Sequence, residues 1–160
     1  MARRVEVSVV PGCRGRIAVG ELRRIARKVL ADDGVAPEVE VEVVLADAAT
    51  VRELNRLYRG RDEETDVLSF AASEGAAFPD APGVAPSLGE VVIGVSVAEL
   101  RAKEVGLPVA AELAHLLTHG LLHILGYDHE KAQDEALRMQ VREDELLAAL
   151  GYAGRYEHGH

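Results

Sequence analysis

The residues best suited to chemistry in this 160-residue sequence are the histidines between positions 112 and 130, ELAHLLTHGLLHILGYDHE. His119 and His123 are four residues apart, so on a helix their side chains lie on one face, separated by one turn of about 6 Å. Two imidazoles placed in this way can bind one metal ion, each nitrogen at about 2.0–2.1 Å from it. Gly126 can take the left-handed conformation that ends a helix and reverses the chain, which would point His129 back at the same ion. The spacing therefore predicts one metal site formed by His119, His123 and His129.

His115 is a rival ligand because it continues the same helical stripe. It precedes His123 by eight residues, a rise of about 12 Å along a helix, which is too long for both to bind one ion. We therefore expect His115 at the rim of the site, supporting a ligand, or simply packed. Three neutral nitrogen ligands without a cysteine leave a fourth position open, which is typical of catalytic zinc. Nickel, copper and cobalt stay as alternatives, since the order of metal affinities alone does not select zinc.

The three histidines and Gly126 have the spacing of the HExxHxxGxxH motif, and in this respect the segment resembles metzincin peptidases. The glutamate that serves those enzymes as general base is replaced here by Gly120. A glycine can neither accept a proton from water nor deliver one to a leaving amine. A zinc metallopeptidase is therefore the weaker alternative.

The scaffold that must position these histidines is a single compact domain, to judge from the length of the chain. Alternating apolar residues predict strands at Arg4–Val10, Glu38–Leu45, Asp66–Ala71 and Glu90–Val95, the second of them near a sheet edge. Helical periodicity predicts helices at Glu21–Asp33, Ser96–Val105, Val109–Leu125 and Lys131–Leu150. A further helix is predicted to begin after Asp47 as its N-cap, with Val51, Leu54, Leu57 and Tyr58 facing inward. We predict an α/β (α+β-like) fold in which about five helices cover a small mixed sheet of about four strands. Residues 1–150 would form one metal-dependent hydrolase domain, and residues 151–160 a loose tail.

Charge and composition narrow the setting of the protein. The net charge is −9, but residues 1–61 carry 12 basic and 9 acidic residues, whereas residues 62–160 carry 6 and 18. The first part is thus locally basic, so a nucleic-acid partner is compatible with the acidic average. The sequence contains no run of eighteen apolar residues, so it predicts no membrane span. A lone cysteine, Cys13, fits a reducing compartment, and we expect a cytoplasmic protein.

The segment HGLLHILGYDH closely resembles the signature of the YbeY family of endoribonucleases. The likeness continues in order through Leu54-Asn55, Tyr58-Arg59-Gly60, Thr65-Asp66-Val67-Leu68-Ser69-Phe70 and Leu88-Gly89-Glu90, and downstream at Met139 and Glu143. It covers residues 40–150, with minor departures at Glu64, where a proline is common, and in the loop 72–87, which is rich in Ala and Pro.

This resemblance implies a single-strand-specific, zinc-dependent endoribonuclease acting in 16S rRNA 3′-end maturation and ribosome quality control. It implies that the zinc ligands are His119, His123 and His129, that Arg59 is catalytic, and that the partners are single-stranded rRNA and the small ribosomal subunit, with no membrane. From spacing alone, Arg59 could equally pair with Asp62 or Asp66.

A non-enzymatic, ribosome-associated binding module with a structural metal is a further alternative. Asp66 and Ser69 are candidates to line a cleft or to be purely structural. With four tyrosines and two phenylalanines, the chain is expected to read base sequence weakly.

Overall fold

The computed structural model describes residues 5–10, 19–72, 87–127 and 133–152. The strands are β1 (Val5–Val9), β2 (Glu40–Ala46), β3 (Val67–Ala71) and β4 (Ser87–Gly94). The helices are α1 (Val19–Asp32), α2 (Ala48–Arg59), α3 (Val95–Val105), α4 (Val109–Ile124) and α5 (Gln133–Leu150). The predicted fold class is confirmed, and the predicted boundaries agree with these elements to within three residues.

The four strands form one mixed sheet in the order β1-β2-β4-β3. β1, β2 and β4 are parallel, and β3 pairs antiparallel with β4 at the edge of the sheet. The prediction that Glu38–Leu45 lies near a sheet edge is wrong, because β2 is hydrogen-bonded on both sides. In β2, Val43 is buried and Glu42 is exposed. The alternation of Glu and Val in the sequence therefore indicates that one face of the strand is open to solvent, and it does not indicate a free edge.

The two faces of the sheet are covered unequally. On one face α1, α4 and α5 share a large apolar core with Val41, Val43, Leu45, Val91 and Ile93 of the sheet. On the other face, α2 covers a small cluster whose buried members are Ala46, Val51, Leu68 and Val92. The prediction that Leu57 and Tyr58 face inward is wrong: they are 58% and 65% exposed. This thin cluster leaves the last turn of α2 open to solvent before Gly60, at φ 70°, ends the helix.

Ordered contacts continue past residue 150, where the predicted domain ends. Tyr152 donates a hydrogen bond from its hydroxyl to Glu21 of α1, and its backbone N–H donates to the Leu147 carbonyl at 2.7 Å. Residues 153–160 of the predicted tail, and Cys13, lie outside the described residues.

None of the helices in the described ranges is both long and apolar enough to cross a membrane alone. α3 and α4 reach that length and apolar character only when taken together, and the chain bends by 119° between them.

Candidate metal centre

α4 is the buried central helix of the domain, and its histidines mark where it meets solvent. From residue 112 to 124 every position is buried except His115, His119 and His123, which are half-buried. The apolar residues on the rest of the helix pack against α1, α3, α5, β3 and β4. The histidine stripe therefore lies on rigid backbone, which is what a site with defined geometry needs.

Two of these histidines converge. The Nε2 atoms of His119 and His123 are 3.2 Å apart, and their rings meet edge to face with centroids 4.7 Å apart. Two nitrogens bound tetrahedrally to one zinc ion at 2.0–2.1 Å are separated by about 3.3 Å. The pair thus fits two ligand positions of one zinc site. The rings of His115 and His119 instead lie parallel with centroids 6.0 Å apart.

Glu143 of α5 supports this pair from behind. The carboxylate is 7% exposed, and its Oε1 atom lies 3.1 Å from Nδ1 of His119 and 3.7 Å from Nδ1 of His115. Because an ionised carboxylate only accepts hydrogen bonds, the contact favours a proton on Nδ1 of His119 and leaves a lone pair on Nε2. Metal-binding histidines commonly hold their other nitrogen in this way.

Sequence reasoning noted Glu143 only as a point of family likeness and missed this contact. A signal was available, since Glu143 is the acidic member of an otherwise apolar buried stripe of α5 formed with Met139, Leu146, Leu147 and Leu150. Met139 is 1% exposed and belongs to the core.

The turn after α4 has the geometry that the sequence predicted. Gly126 has φ 103°, its N–H bonds to the His123 carbonyl at 3.1 Å, and the Tyr127 N–H bonds to the Leu122 carbonyl at 3.0 Å. These two bonds form a Schellman motif, which ends the helix and reverses the chain. His129 and Asp128 lie outside the described residues. Within the described ranges, no group of three His, Cys, Asp or Glu side chains is placed to hold a metal ion.

Gly120 shows why the peptidase glutamate is absent. A Cβ atom at this position would lie 2.8 Å from Cγ1 of Val91 and 3.2 Å from Oγ of Ser69. Position 120 therefore faces the sheet at close range and has no space for a longer side chain. The glycine is a packing requirement between α4 and strands β3 and β4, and it removes the general base of the metzincin motif from this site.

Arg59 lies at the end of α2, beside the edge strand β3. Its guanidinium donates to the Ser69 carbonyl and stands over the Phe70 ring, with Cζ 4.9 Å from the centroid. The two alternative partners are engaged elsewhere: Asp62 pairs with Arg52 at 2.7 Å, and Asp66 pairs with Arg101 at 2.6 Å. Since the Ser69 hydroxyl faces Gly120, β3 connects Arg59 to the helix that carries the histidines.

The remaining charges near the site are mostly paired on the surface. The Arg52 hydrogen bond lowers the pKa of Asp62, and the Arg56 hydrogen bond lowers that of Glu53. Glu112, at the start of α4, is fully buried, and loss of water raises the pKa of its carboxyl to about 7. The charges of Arg101 and Asp66 act on it in opposite directions. Asp66 thus pairs with Arg101 within electrostatic reach of the start of α4, at the other end of that helix from the converging histidines.

Comparison with known proteins gives consistent matches. Residues 15–151 match the family model described as endoribonuclease YbeY. The endoribonuclease YbeY of Moorella thermoacetica is 44% identical over 142 residues, covering 86% of this chain and 89% of that protein. The endoribonuclease YbeY of Syntrophotalea carbinolica is 41% identical over 136 residues, covering 84% and 88%. Among solved structures, a Thermotoga maritima protein determined in solution has a TM-score of 0.55 at 24% identity, covering 91% and 90% of the two chains, which is a likeness of fold.

Proposed function

The chain belongs to the endoribonuclease YbeY family, and from this premise we propose that it is a zinc-dependent endoribonuclease specific for single-stranded RNA. One zinc ion would be held by His119, His123 and His129 within a single hydrolase domain, residues 1–150. The finer role would be 16S rRNA 3′-end maturation and ribosome quality control on the small subunit, in the cytoplasm. The observation that carries the proposal is the approach of the two Nε2 atoms to 3.2 Å at the open stripe of a buried helix.

Zinc at this position would supply a Lewis acid that polarises a phosphodiester oxygen and brings the pKa of water near neutrality. His119 and His123 present the ring nitrogens, and Glu143 keeps His119 in the required orientation. Arg59 would bind the phosphate, since a planar guanidinium matches two phosphate oxygens and balances the charge that builds on them.

The arginines around Arg59 could guide the RNA backbone. Arg52, Arg56 and Arg61 each lie in an exposed ion pair, with Asp62, Glu53 and Glu63 respectively. Such exposed pairs contribute little to stability, so a phosphate can displace the carboxylate at little cost.

Glu143 is expected to be a positioning residue for the metal. Glu143→Gln should lower zinc affinity by about 10- to 100-fold, the usual effect of removing the partner of a metal-binding histidine. The metal-free protein should be about as stable as the wild type, because the glutamine side-chain oxygen can still accept a hydrogen bond from His119. Competition with a chromogenic chelator measures the affinity, and thermal unfolding of the metal-free form measures the stability.

Glu145→Gln is the matched control, since Glu145 lies two residues further along α5 and its side chain is 61% exposed. It should leave zinc affinity unchanged. Equal affinities for Glu143→Gln and the wild type would remove Glu143 from the metal site.

The proposed activity is tested by cleavage assays before and after chelation. The purified protein should cut single-stranded RNA, leave duplex RNA and casein intact, lose activity in chelator and regain it with added zinc. Circular dichroism should show the fold nearly intact after chelation, because a catalytic ion is bound by a domain that folds around its own apolar core. Casein cleavage would support the peptidase alternative. Unfolding on chelation without RNA cleavage would support a metal-stabilised binding module.

A further inference from the structure

An aromatic surface lies next to Arg59 that the proposed mechanism does not use. Tyr58 is 65% exposed, and its ring meets the Phe70 ring edge on, with centroids 5.5 Å apart and planes at 65°. Arg59 stands over the same Phe70 ring. The Phe70 ring of β3 therefore contacts two neighbouring residues of α2, the exposed ring of Tyr58 and the guanidinium of Arg59.

This surface and the helix that carries the candidate metal centre lie on opposite faces of the edge strand β3. Phe70 belongs to the small cluster on the α2 face of the sheet, whereas the preceding residue, Ser69, turns its hydroxyl toward Gly120 of α4. The carbonyl of Ser69 accepts the Arg59 hydrogen bond. An RNA strand bound at Arg59 would lie beside the exposed Tyr58 ring and would reach the histidines around the edge of the sheet at β3.

The combination fits a single-stranded nucleic acid better than an apolar partner. A base stacks on an aromatic face irrespective of its identity, and an adjacent arginine pairs with the phosphate that follows it. Tyr58 contacts Phe70 and is still 65% exposed, so the ring is positioned before a ligand arrives. An isolated exposed apolar residue such as Leu57, 58% exposed, needs no such explanation.

We infer that Tyr58, braced by Phe70, is a stacking platform for one base of the RNA strand whose phosphate is bound by Arg59. The inference rests on the proposed RNA-cleaving function and adds a binding subsite to it. It agrees with the expectation that the chain reads base sequence weakly. Stacking of this kind favours unpaired bases of any identity, so it contributes selectivity for single strands rather than for a sequence.

The test is steady-state kinetics of Tyr58 variants with a single-stranded oligoribonucleotide. Tyr58→Ala should raise KM by about 5- to 150-fold, the effect of losing one stacked base, with kcat and zinc content unchanged. Tyr58→Phe keeps the ring and should stay within about twofold of the wild type. Leu57→Ala, one residue earlier and similarly exposed, should not change KM.

Ultraviolet cross-linking of the wild type to a 5-bromouridine oligonucleotide gives an independent readout, which should map to Tyr58 by mass spectrometry. Equal KM values for Tyr58→Ala and the wild type, or cross-links that avoid Tyr58, would overturn the inference while leaving the nuclease function intact. An equal loss in Leu57→Ala would also overturn it, since the surface would then act as a general apolar contact. A wild type that neither binds nor cleaves RNA would remove the proposed function itself, and the platform with it.

Discussion

Alanine at His119 or His123 is expected to abolish zinc binding and to reduce RNA cleavage by about a thousandfold or more, because the several kcal/mol of transition-state stabilisation that the ion supplies is lost. The two Nε2 atoms are 3.2 Å apart, so removing either ring leaves an incomplete set of ligands. Both side chains are half-buried at the open side of α4, so the helix should fold without them. Initial cleavage rates and the circular dichroism spectrum measure the two effects.

His115→Ala is the matched control for these variants. It lies one turn earlier than His119 on the same helix, is also half-buried, and its ring is parallel to that of His119 rather than converging with it. We expect His115→Ala to keep most of its zinc and activity, with a modest loss because His115 also lies near Glu143. A His115→Ala variant as inactive as His123→Ala would mean that His115 belongs to the metal site.

Replacing Arg59 by alanine should lower kcat by about 100- to 1,000-fold with unchanged zinc content, the size of effect seen when one preorganised charge-stabilising donor is removed. The guanidinium is held by the Ser69 carbonyl and the Phe70 ring, and so it is oriented before substrate arrives. Arg59→Lys should recover only part of the rate, because an ammonium is a point charge and cannot bind two phosphate oxygens in one plane.

Arg56→Ala is the appropriate control for Arg59. Arg56 is exposed on the preceding turn of α2 and is paired with Glu53, so its loss should weaken RNA binding slightly and leave kcat unchanged. Full cleavage by Arg59→Ala with normal zinc content would take Arg59 out of the catalytic machinery. A loss confined to KM would assign it to binding alone.

The fold class and the element boundaries could be predicted because each depends on local patterns. Gly126 is the clearest case in the site: a glycine that follows a helical stripe predicts a left-handed end, and the observed φ of 103° follows. The pairing of β2 with both β1 and β4 could not be predicted in the same way. The Glu-Val alternation of β2 indicates which face of the strand is exposed to solvent. The central position of β2 in the sheet depends instead on partner strands more than 30 residues away in the sequence.

Several features of the site also depended on long-range packing. The motif showed that Gly120 lacks a carboxylate, but only the close approach of Val91 explains why no side chain fits there. The outward direction of Tyr58 follows from how little apolar surface the sheet offers beneath the end of α2. The contact between Glu143 and His119 joins residues 24 positions apart on two helices, which periodicity within one helix cannot reveal.

Elemental analysis of the purified wild type beside His129→Ala tests most directly whether three imidazoles share one ion. The wild type should carry one zinc per chain, and His129→Ala should carry little, although its circular dichroism spectrum is unchanged. A wild type without any transition metal that still cleaves RNA, or a His129→Ala variant with full zinc content, would contradict the account.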